Sequence, residues 1–292
     1  MRLESKYIAI KALHEEKGYP VTVLCELAQL NRSSFYKWLR RDQSEQDRKD
    51  KELIDRMCQL QQEANGIFGY RRMQLNLERR FSLRCNKKRV YRVMQAIGMR
   101  SVIRRKRPNY IRTTPEITAE NVLNRDFAAE RLNEKWLTDV TEFKLGDGSK
   151  LYLSAILDLK DKSIVSYWMS RSNNNQLVFD TFDAAIKKYP MARPLFHSDR
   201  GFQYTSRTFR AKLDAQSMMQ SMSRVGRCID NGPMEAFWGT LKAEMFYLHQ
   251  FQSCDPLRAA IDQYIGFYNH KRFQQRLGGL APLEFRAMLL AA

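Results

Sequence analysis

Residues 194–201 read Pro-Leu-Phe-His-Ser-Asp-Arg-Gly, and residues 230–242 read Asp-Asn-Gly-Pro-Met-Glu-Ala-Phe-Trp-Gly-Thr-Leu-Lys. The first stretch is a short apolar run that ends in an acid and a glycine, which is typical of a strand that leads into a turn. The second begins with turn residues and a proline and continues with apolar residues at helical spacing, so we expect an amphipathic helix. The two stretches place Asp199 and Glu235 on different elements, with 35 residues between them.

A third acid, Asp139, lies in residues 136–141, which read Trp-Leu-Thr-Asp-Val-Thr. The β-branched residues favour a strand, from which Asp is depleted, and a buried Asp needs a partner. Three carboxylates on separate elements can hold one or two divalent cations in an oxygen-rich site. Two such cations roughly 3.5–4 Å apart would clamp the attacking and leaving oxygens of a phosphodiester.

Each acid also has a purely structural interpretation. Asp199 can simply start a turn, because Asp and Gly dominate turns. With Gly232 as the N-cap and Pro233 at the first helical position, Glu235 falls at the third position, where acids are common for capping and dipole reasons alone. The order, spacing and flanking residues of the three acids together favour the functional interpretation.

These residues resemble the Asp-Asp-Glu transposases and retroviral integrases. The match is closest to insertion-sequence transposases of the type encoded by the second of two overlapping reading frames. It is carried by the motifs Trp-x-Thr-Asp-x-Thr, His-Ser-Asp-x-Gly and Asp-Asn-x-Pro-Met-Glu, by the 35-residue spacing, and by Lys242 seven positions after Glu235. The resemblance covers essentially the whole chain. It implies an α/β, ribonuclease H-like catalytic core, with a mixed five-stranded sheet and helices, preceded by all-α helix-turn-helix DNA-binding modules.

In that fold the first and fourth strands are neighbours, so Asp139 and Asp199 would meet, and the helix near Pro233 would bring Glu235 over them. The resemblance implies that these three acids are both catalytic and metal-binding, with Mg²⁺ as the cofactor, Mn²⁺ as an alternative, and two ions per active site. Asp158, at the end of the second expected strand, is excluded. Ribonucleases H do use a fourth acid, but this transposase family places none there.

The activity implied is metal-dependent DNA strand cleavage at the ends of a mobile element, followed by 3′-hydroxyl strand transfer into DNA. A DNA-binding regulator or inhibitor of transposition that retains the catalytic fold is the alternative, and the presence of all three acids argues against it. A nuclease without strand transfer is a third hypothesis. Two amino-terminal DNA-binding modules favour recognition of specific DNA ends instead.

The 292 residues carry a net charge of +18, and the positive charge is unevenly distributed. Residues 1–112 contain 27 Lys and Arg against 12 Asp and Glu, whereas the remaining 180 residues contain 23 against 20. A solvated basic face is the ordinary explanation for a charge run. Concentration in one third of the chain favours a polyanionic partner, so we expect this third to hold DNA.

We expect four segments. Residues 1–45 would form a helix-turn-helix-like module, 46–108 a connecting helix and a second helical DNA-binding module, 109–125 a linker, and 126–292 the catalytic domain with carboxy-terminal helices. Alternatives are a plain three-helix bundle for the first module, a solvated hinge for the basic stretch and a surface role for Lys242. The expected DNA contacts are Lys37, Arg40, Arg41, Arg71, Arg72, Lys87, Lys88, Arg89, Arg92, Arg104, Arg105, Lys106, Arg107 and Lys242.

Five scattered cysteines without a Cys-x-x-Cys pair predict neither a disulfide framework nor a zinc site. With no signal peptide and no apolar run near 18 residues, we expect a cytoplasmic, nucleoid-associated protein with reduced cysteines and no membrane partner. The expected partners are double-stranded DNA, at both element ends and target, and further copies of the chain on that DNA. Chains of the family are often the downstream half of a frameshifted fusion. An upstream overlapping frame could therefore supply a further partner, and whether this chain acts alone stays open.

Overall fold

The structure is a computed structural model that describes residues 3–40, 45–103, 120–224 and 228–291. The chain divides into two compact units, Met1–Gln59 and Leu60–Ala292. Within the described ranges no helix is both long enough and apolar enough to cross a membrane. The expected linker lies mostly outside the described residues, as do the predicted DNA contacts Arg41 and Arg104, Arg105, Lys106 and Arg107.

The first unit is built from short helices around an aromatic core. It contains α1 (Leu3–Lys17), α2 (Val21–Leu27), α3 (Arg32–Leu39) and most of α4 (Glu45–Glu63). Tyr7 and Phe35 are buried, and the Tyr7 ring stacks on Trp38 with centroids 5.4 Å apart. The aromatic residues of α3 therefore hold the three helices together, which leaves Lys37 and Arg40 exposed on its outer side.

A small helical module opens the second unit. It consists of the end of α4, α5 (Tyr70–Phe81) and α6 (Lys87–Ala96). Leu60, Met73, Leu77 and Val90 are fully buried and form its apolar interior. The Asn86 side chain accepts a hydrogen bond from the Lys88 amide at 2.9 Å and so caps the start of α6.

The rest of the second unit is organised by a mixed five-stranded sheet. The strands are β1 (Lys135–Lys144), β2 (Lys150–Asp158), β3 (Ile164–Ser170), β4 (Leu195–Ser198) and β5 (Gln220–Met222). Their order in the sheet is β3-β2-β1-β4-β5. The first three strands are antiparallel, whereas β4 runs parallel to both β1 and β5. Residues 146–148 form the hairpin turn between β1 and β2, in which Gly148 has a φ of 82°.

Helices cover both faces of the sheet. The remaining helices are α7 (Asn175–Lys188), α8 (Arg207–Ala215), α9 (Gly232–Glu244), α10 (Cys254–His270) and α11 (Pro282–Ala291). Successive residues of β1 point to opposite faces, so Trp136 packs in one core with α7 and α8, and Leu137 packs in the other with α9 and α10. The architecture is the ribonuclease H-like fold expected from the motifs.

Candidate active site

The pairing of β1 with β4 brings two of the predicted acids to the same level. Leu137 lies opposite His197 in this parallel pair. Asp139 and Asp199 are each two residues further along their chains, so the sheet places them side by side. Asp139 lies within β1, whereas Asp199 directly follows the last residue of β4. Both acids are partly exposed at this edge.

Each carboxylate is oriented by hydrogen bonds to its oxygens. Asp139 accepts from the Val140 amide at 2.8 Å through Oδ1 and from the Trp238 indole Nε1 at 3.0 Å through Oδ2. Asp199 accepts from the Gly201 amide at 2.9 Å through Oδ1. A Cβ atom added at Gly201 would lie 3.0 Å from this same oxygen, so only glycine leaves the carboxylate undisturbed.

The electrostatics of the site disfavour negative charge. Burial raises the pKa of Asp139 to about 7, with a further contribution from the charge of Asp199 and a smaller one from that of Glu235. Burial also raises the pKa of Asp199. In the described part of the chain neither Asp139 nor Asp199 has an ion-pair partner. A bound cation would offset the repulsion between these carboxylates.

Helix α9 carries Glu235, whose negative charge contributes to the raised pKa of Asp139. The helix begins at Gly232 with Asn231 in the N-cap position, so Glu235 is its fourth residue and not the third, as we expected with Gly232 as the cap. The buried Asn231 side chain donates from Nδ2 to the Thr138 carbonyl at 3.0 Å. This bond ties the start of the helix to the residue that precedes Asp139.

A second anchor lies one residue earlier, at the buried Asp230. Its carboxylate accepts hydrogen bonds from Arg224, through Nε at 2.9 Å and Nη2 at 3.0 Å, from Arg125 Nε at 2.7 Å and from Asn121 Nδ2 at 3.0 Å. Its bonds with Arg224, followed by those with Arg125, outweigh the effect of burial and hold the pKa of Asp230 well below its usual value. The Asp-Asn pair of the third motif thus fixes the segment that leads into α9.

His197 is structural. The ring is fully buried, with Nδ1 2.9 Å from the Ser221 hydroxyl and Nε2 3.2 Å from that of Ser223. Burial lowers the pKa of His197 to about 4, so the ring is neutral at neutral pH. The histidine of the second motif therefore links β4 to the β5 segment and is not a candidate proton carrier.

Lys242 lies on the same face of α9 as Glu235, seven residues further on. Its Nζ donates to the Glu142 carbonyl at 3.1 Å and lies 5.2 Å from the centre of the Phe143 ring. Burial lowers the pKa of Lys242, opposed by the charge of Asp139. The ammonium group thus packs against β1 near the acids, and its contact with DNA stays a prediction.

Asp158 has a structural role at the other end of β1, opposite Trp136. Its Oδ2 accepts from Arg286 Nη2 at 2.8 Å, and Arg286 also pairs with Asp161. Throughout the described ranges no three His, Cys, Asp or Glu side chains are arranged as a set that could hold a metal ion. The metal site at Asp139, Asp199 and Glu235 is therefore a proposal based on the repulsion between these acids.

The predicted DNA contacts of the helical module do not share one environment. Arg71, Lys87, Lys88 and Arg92 are exposed, and Arg89 is partly exposed. Arg72 differs, because its side chain is only 20% exposed and pairs with Glu244 of α9 at 2.9 Å. The two adjacent arginines therefore point to different surroundings, a distinction that their sequence positions alone do not reveal.

Trp238 is a further site residue that its sequence pattern assigns only to the core. Its ring is indeed buried, but its Nε1 also donates to Asp139. The available signal was its position three residues after Glu235, which places both side chains on one face of a helix.

Family models and relatives match most of this chain. Models described as an integrase core domain match residues 129–228 and 235–290, and an HTH-like domain matches residues 45–107. InsK, from insertion sequence element IS150 of Escherichia coli (strain K12), is 40% identical over 279 residues, which cover 95% of this chain and 97% of InsK. Transposase InsF for insertion sequence IS3A of the same strain is 30% identical over 300 residues, covering 98% and 100%.

Among solved structures, the HTLV-2 integrase catalytic core domain in complex with magnesium aligns with a TM-score of 0.42 and 21% identity, over 53% of this chain and 96% of that one. The sheet topology and the family models together define a protein with a ribonuclease H-like integrase core. The chain belongs to the insertion-sequence transposases of this integrase-like superfamily.

Proposed function

We propose that this protein is an Asp-Asp-Glu transposase that cleaves DNA strands at the ends of a mobile element and joins the freed 3′-hydroxyl to another DNA. The observation that carries the proposal is the placement of Asp139, in β1, beside Asp199, which directly follows the parallel strand β4, with raised pKa values for both acids. Family membership supports it independently.

The chain's own residues prepare a site for positive charge next to a phosphodiester. Asp139, Asp199 and Glu235 supply the carboxylates that would hold the ions, and oxygen donors of this kind suit Mg²⁺ or Mn²⁺. Bound magnesium would lower the pKa of the attacking water or hydroxyl and offset the charge of the transition state. The indole of Trp238 and the amide of Gly201 keep the aspartate carboxylates oriented.

Double-stranded DNA is the proposed partner, as both element end and target, and further copies of the chain would assemble on it. The exposed cations of the helical modules would neutralise backbone phosphates. We assign this role to Lys37 and Arg40 in the first unit, and to Arg71, Lys87, Lys88 and Arg92 in the second. These contacts supply affinity, whereas the acids supply chemistry.

Labelled duplexes that carry the element ends test this function. Wild-type protein with Mg²⁺ should yield both cleaved and joined strands, and EDTA should stop both reactions. Asp139→Asn, Asp199→Asn and Glu235→Gln should each abolish cleavage and strand transfer while leaving end binding within about twofold. Asp147→Asn, in the exposed β1–β2 turn, is the matched control and should react normally.

The same assay separates the alternatives. Specific binding without any cleavage would indicate a regulator that retains the fold. Cleavage without joined products would indicate a nuclease. Strand transfer by any one of the three acid variants would remove that residue from the site.

A further inference from the structure

Helix α9 carries Glu235 near its start and a second, buried glutamate at its end. Glu244 is 7% exposed and is the last residue of the helix. Its Oε1 accepts from Arg72 Nη2 at 2.9 Å and from Arg272 Nη2 at 2.7 Å. Its Oε2 accepts from Arg272 Nε at 2.9 Å and from the Tyr264 hydroxyl at 3.0 Å. Four hydrogen bonds thus satisfy both oxygens.

The members of this cluster come from two parts of the unit. Tyr264 and Arg272 belong to α10 and the residues that follow it, beside the sheet, whereas Arg72 belongs to α5 of the helical module. Burial alone would raise the pKa of Glu244, but Arg272 and Arg72 together outweigh it and keep this pKa below its usual value. The carboxylate is therefore charged and links the module to the catalytic helix.

The rest of the same face of α5 also contacts the catalytic core. Arg79, seven residues after Arg72, pairs with Glu284 of α11, and its guanidinium lies 5.4 Å from the centre of the Phe273 ring. Leu75 lies between these two arginines in the sequence and packs against Gly279. A Cβ atom added at Gly279 would lie 3.3 Å from the Leu75 side chain. One face of α5 is thus used for docking and is not available to DNA.

Docking creates a cleft of about 1440 Å³. Exposed cations of the module, Arg71, Lys88 and Arg92, line one side. Ala236 and Thr240 of α9 line the other, together with Arg276. The cleft therefore follows the helix that carries Glu235, and its charge suits a DNA backbone. Any strand held there touches both walls, so the distance between the walls decides where the strand lies relative to the acids.

We propose that the Arg72–Glu244–Arg272 cluster is a positioning device that sets the DNA-binding helical module against the helix bearing Glu235. Arg72 is then a positioning residue and does not grip DNA. The inference rests on the proposed transposase function, because it states how a bound DNA end is delivered to the acids.

Arg72→Met is the decisive variant, because it leaves the two-pronged Arg272–Glu244 pair inside the catalytic core intact. Affinity for a labelled element end should stay within about twofold of wild type. The single-turnover cleavage rate at saturating DNA should fall at least tenfold. Arg72→Lys should recover most of this rate, since Arg72 makes one hydrogen bond to Glu244 and lysine retains the charge.

Two other arginines of α5 provide control variants. Arg71→Met, which removes an exposed cation of the cleft, should weaken DNA binding. Arg80→Met should change neither parameter, because Arg80 pairs with Glu63 within its own module. Weakened binding with a normal cleavage rate in Arg72→Met would make Arg72 a DNA contact. Wild-type DNA affinity together with a wild-type cleavage rate in Arg72→Met would mean that the cluster has no positioning role. Either result overturns the proposal.

Hydrogen exchange separates this inference from the proposed function. Without DNA, Arg72→Met should speed amide exchange in α5 and in the last turn of α9, with the sheet unchanged, whereas Arg80→Met should not. Unchanged exchange in α5 would overturn the docking role whatever the enzyme does. A wild-type chain that neither cleaves nor joins DNA would defeat the proposed function, and the exchange result would still decide the role of Arg72 in docking.

Discussion

Trp238 combines two roles in one side chain. The ring is 6% exposed within the core beneath the sheet, and its Nε1 donates to the Asp139 carboxylate at 3.0 Å. Phenylalanine would keep most of the packing but could not donate. Because hydrogen bonds to charged groups are worth about 1.5–3 kcal/mol, the loss of one leaves Asp139 less well oriented.

Trp238→Phe should therefore lower the cleavage rate roughly tenfold or more, while the protein stays folded. Cleavage of labelled ends, measured beside a thermal melt, checks this expectation. Trp168→Phe is the matched control, because Trp168 is 48% exposed on β3 and lies outside the site. A full cleavage rate in Trp238→Phe would return this residue to a purely structural role.

Gly201 is constrained by the carboxylate beside it and not by its backbone conformation. An added Cβ would lie 3.0 Å from Asp199 Oδ1 and 2.9 Å from Gln203 Oε1. Gln203 Oε1 is the far end of a longer and more flexible side chain, whereas moving Asp199 displaces a proposed catalytic group. Gly201→Ala should lower cleavage by about tenfold, since small displacements at a reacting centre are costly.

Gly239→Ala is the control for that substitution. Gly239 is exposed in the middle of α9, and nothing lies within 4 Å of an added Cβ. Alanine should stabilise the helix by roughly 0.5–1 kcal/mol and leave cleavage unchanged. Equal cleavage by Gly201→Ala and Gly239→Ala would show that Asp199 tolerates displacement.

At the scale of elements, Asp230 determines where α9 begins. Its carboxylate is fully buried and bonded to Arg224 and Arg125, so its pKa lies well below the usual value. A depressed pKa contributes stability above the unfolded pKa of about 3.9, and this stability is lost as the pH falls toward the folded pKa.

Asp230→Asn should therefore lower the free energy of unfolding by about 3 kcal/mol at pH 7, because it breaks a buried ion pair. The difference in unfolding free energy between wild type and Asp230→Asn should decrease by about 1 kcal/mol as the pH is lowered from 7 to 3, because the aspartate takes up a proton in the unfolded wild-type chain. Urea unfolding across this range measures it. A difference that does not change with pH would mean that the charge of Asp230 contributes nothing.

At the scale of the whole molecule, the excess positive charge is confined to a segment shorter than the first third of the chain. Residues 1–59 contain 12 Lys and Arg against 10 Asp and Glu, whereas residues 60–112 contain 15 against 2. The basic segment thus begins with the second compact unit, which also contains the catalytic core. Non-specific affinity for DNA should reside in that unit.

A protein that comprises residues 60–292 should therefore bind DNA with a salt dependence close to that of the full chain, at a slope of about −0.9 per phosphate neutralised. Residues 1–59 should bind weakly, because their net charge is small. Plots of log affinity against log salt for the three proteins check this. Strong, steeply salt-dependent binding by residues 1–59 would contradict it.

The class of the protein, the ribonuclease H-like fold and most of its helices and strands could be predicted from the amino-acid sequence alone. Strand patterns, helix caps such as Asn86 and the 146–148 turn depend on residues that are close in the chain, so they can be predicted from the local sequence. The pairing of β1 with β4 followed from the family's motifs, and the structure contains it. The assignment of Asp139, Asp199 and Glu235 as catalytic also rests on those motifs and stays a prediction.

Only the tertiary structure separated Arg72 from Arg71. Both lie in the same basic helix, and what distinguishes them is Glu244, 172 residues away. Asp158 likewise pairs with Arg286, 128 residues away. A charged residue looks alike in sequence whether it faces solvent, DNA or a buried partner. Its surroundings are decided by packing between distant segments, because burying a charge is tolerated only where such a segment supplies the opposite charge.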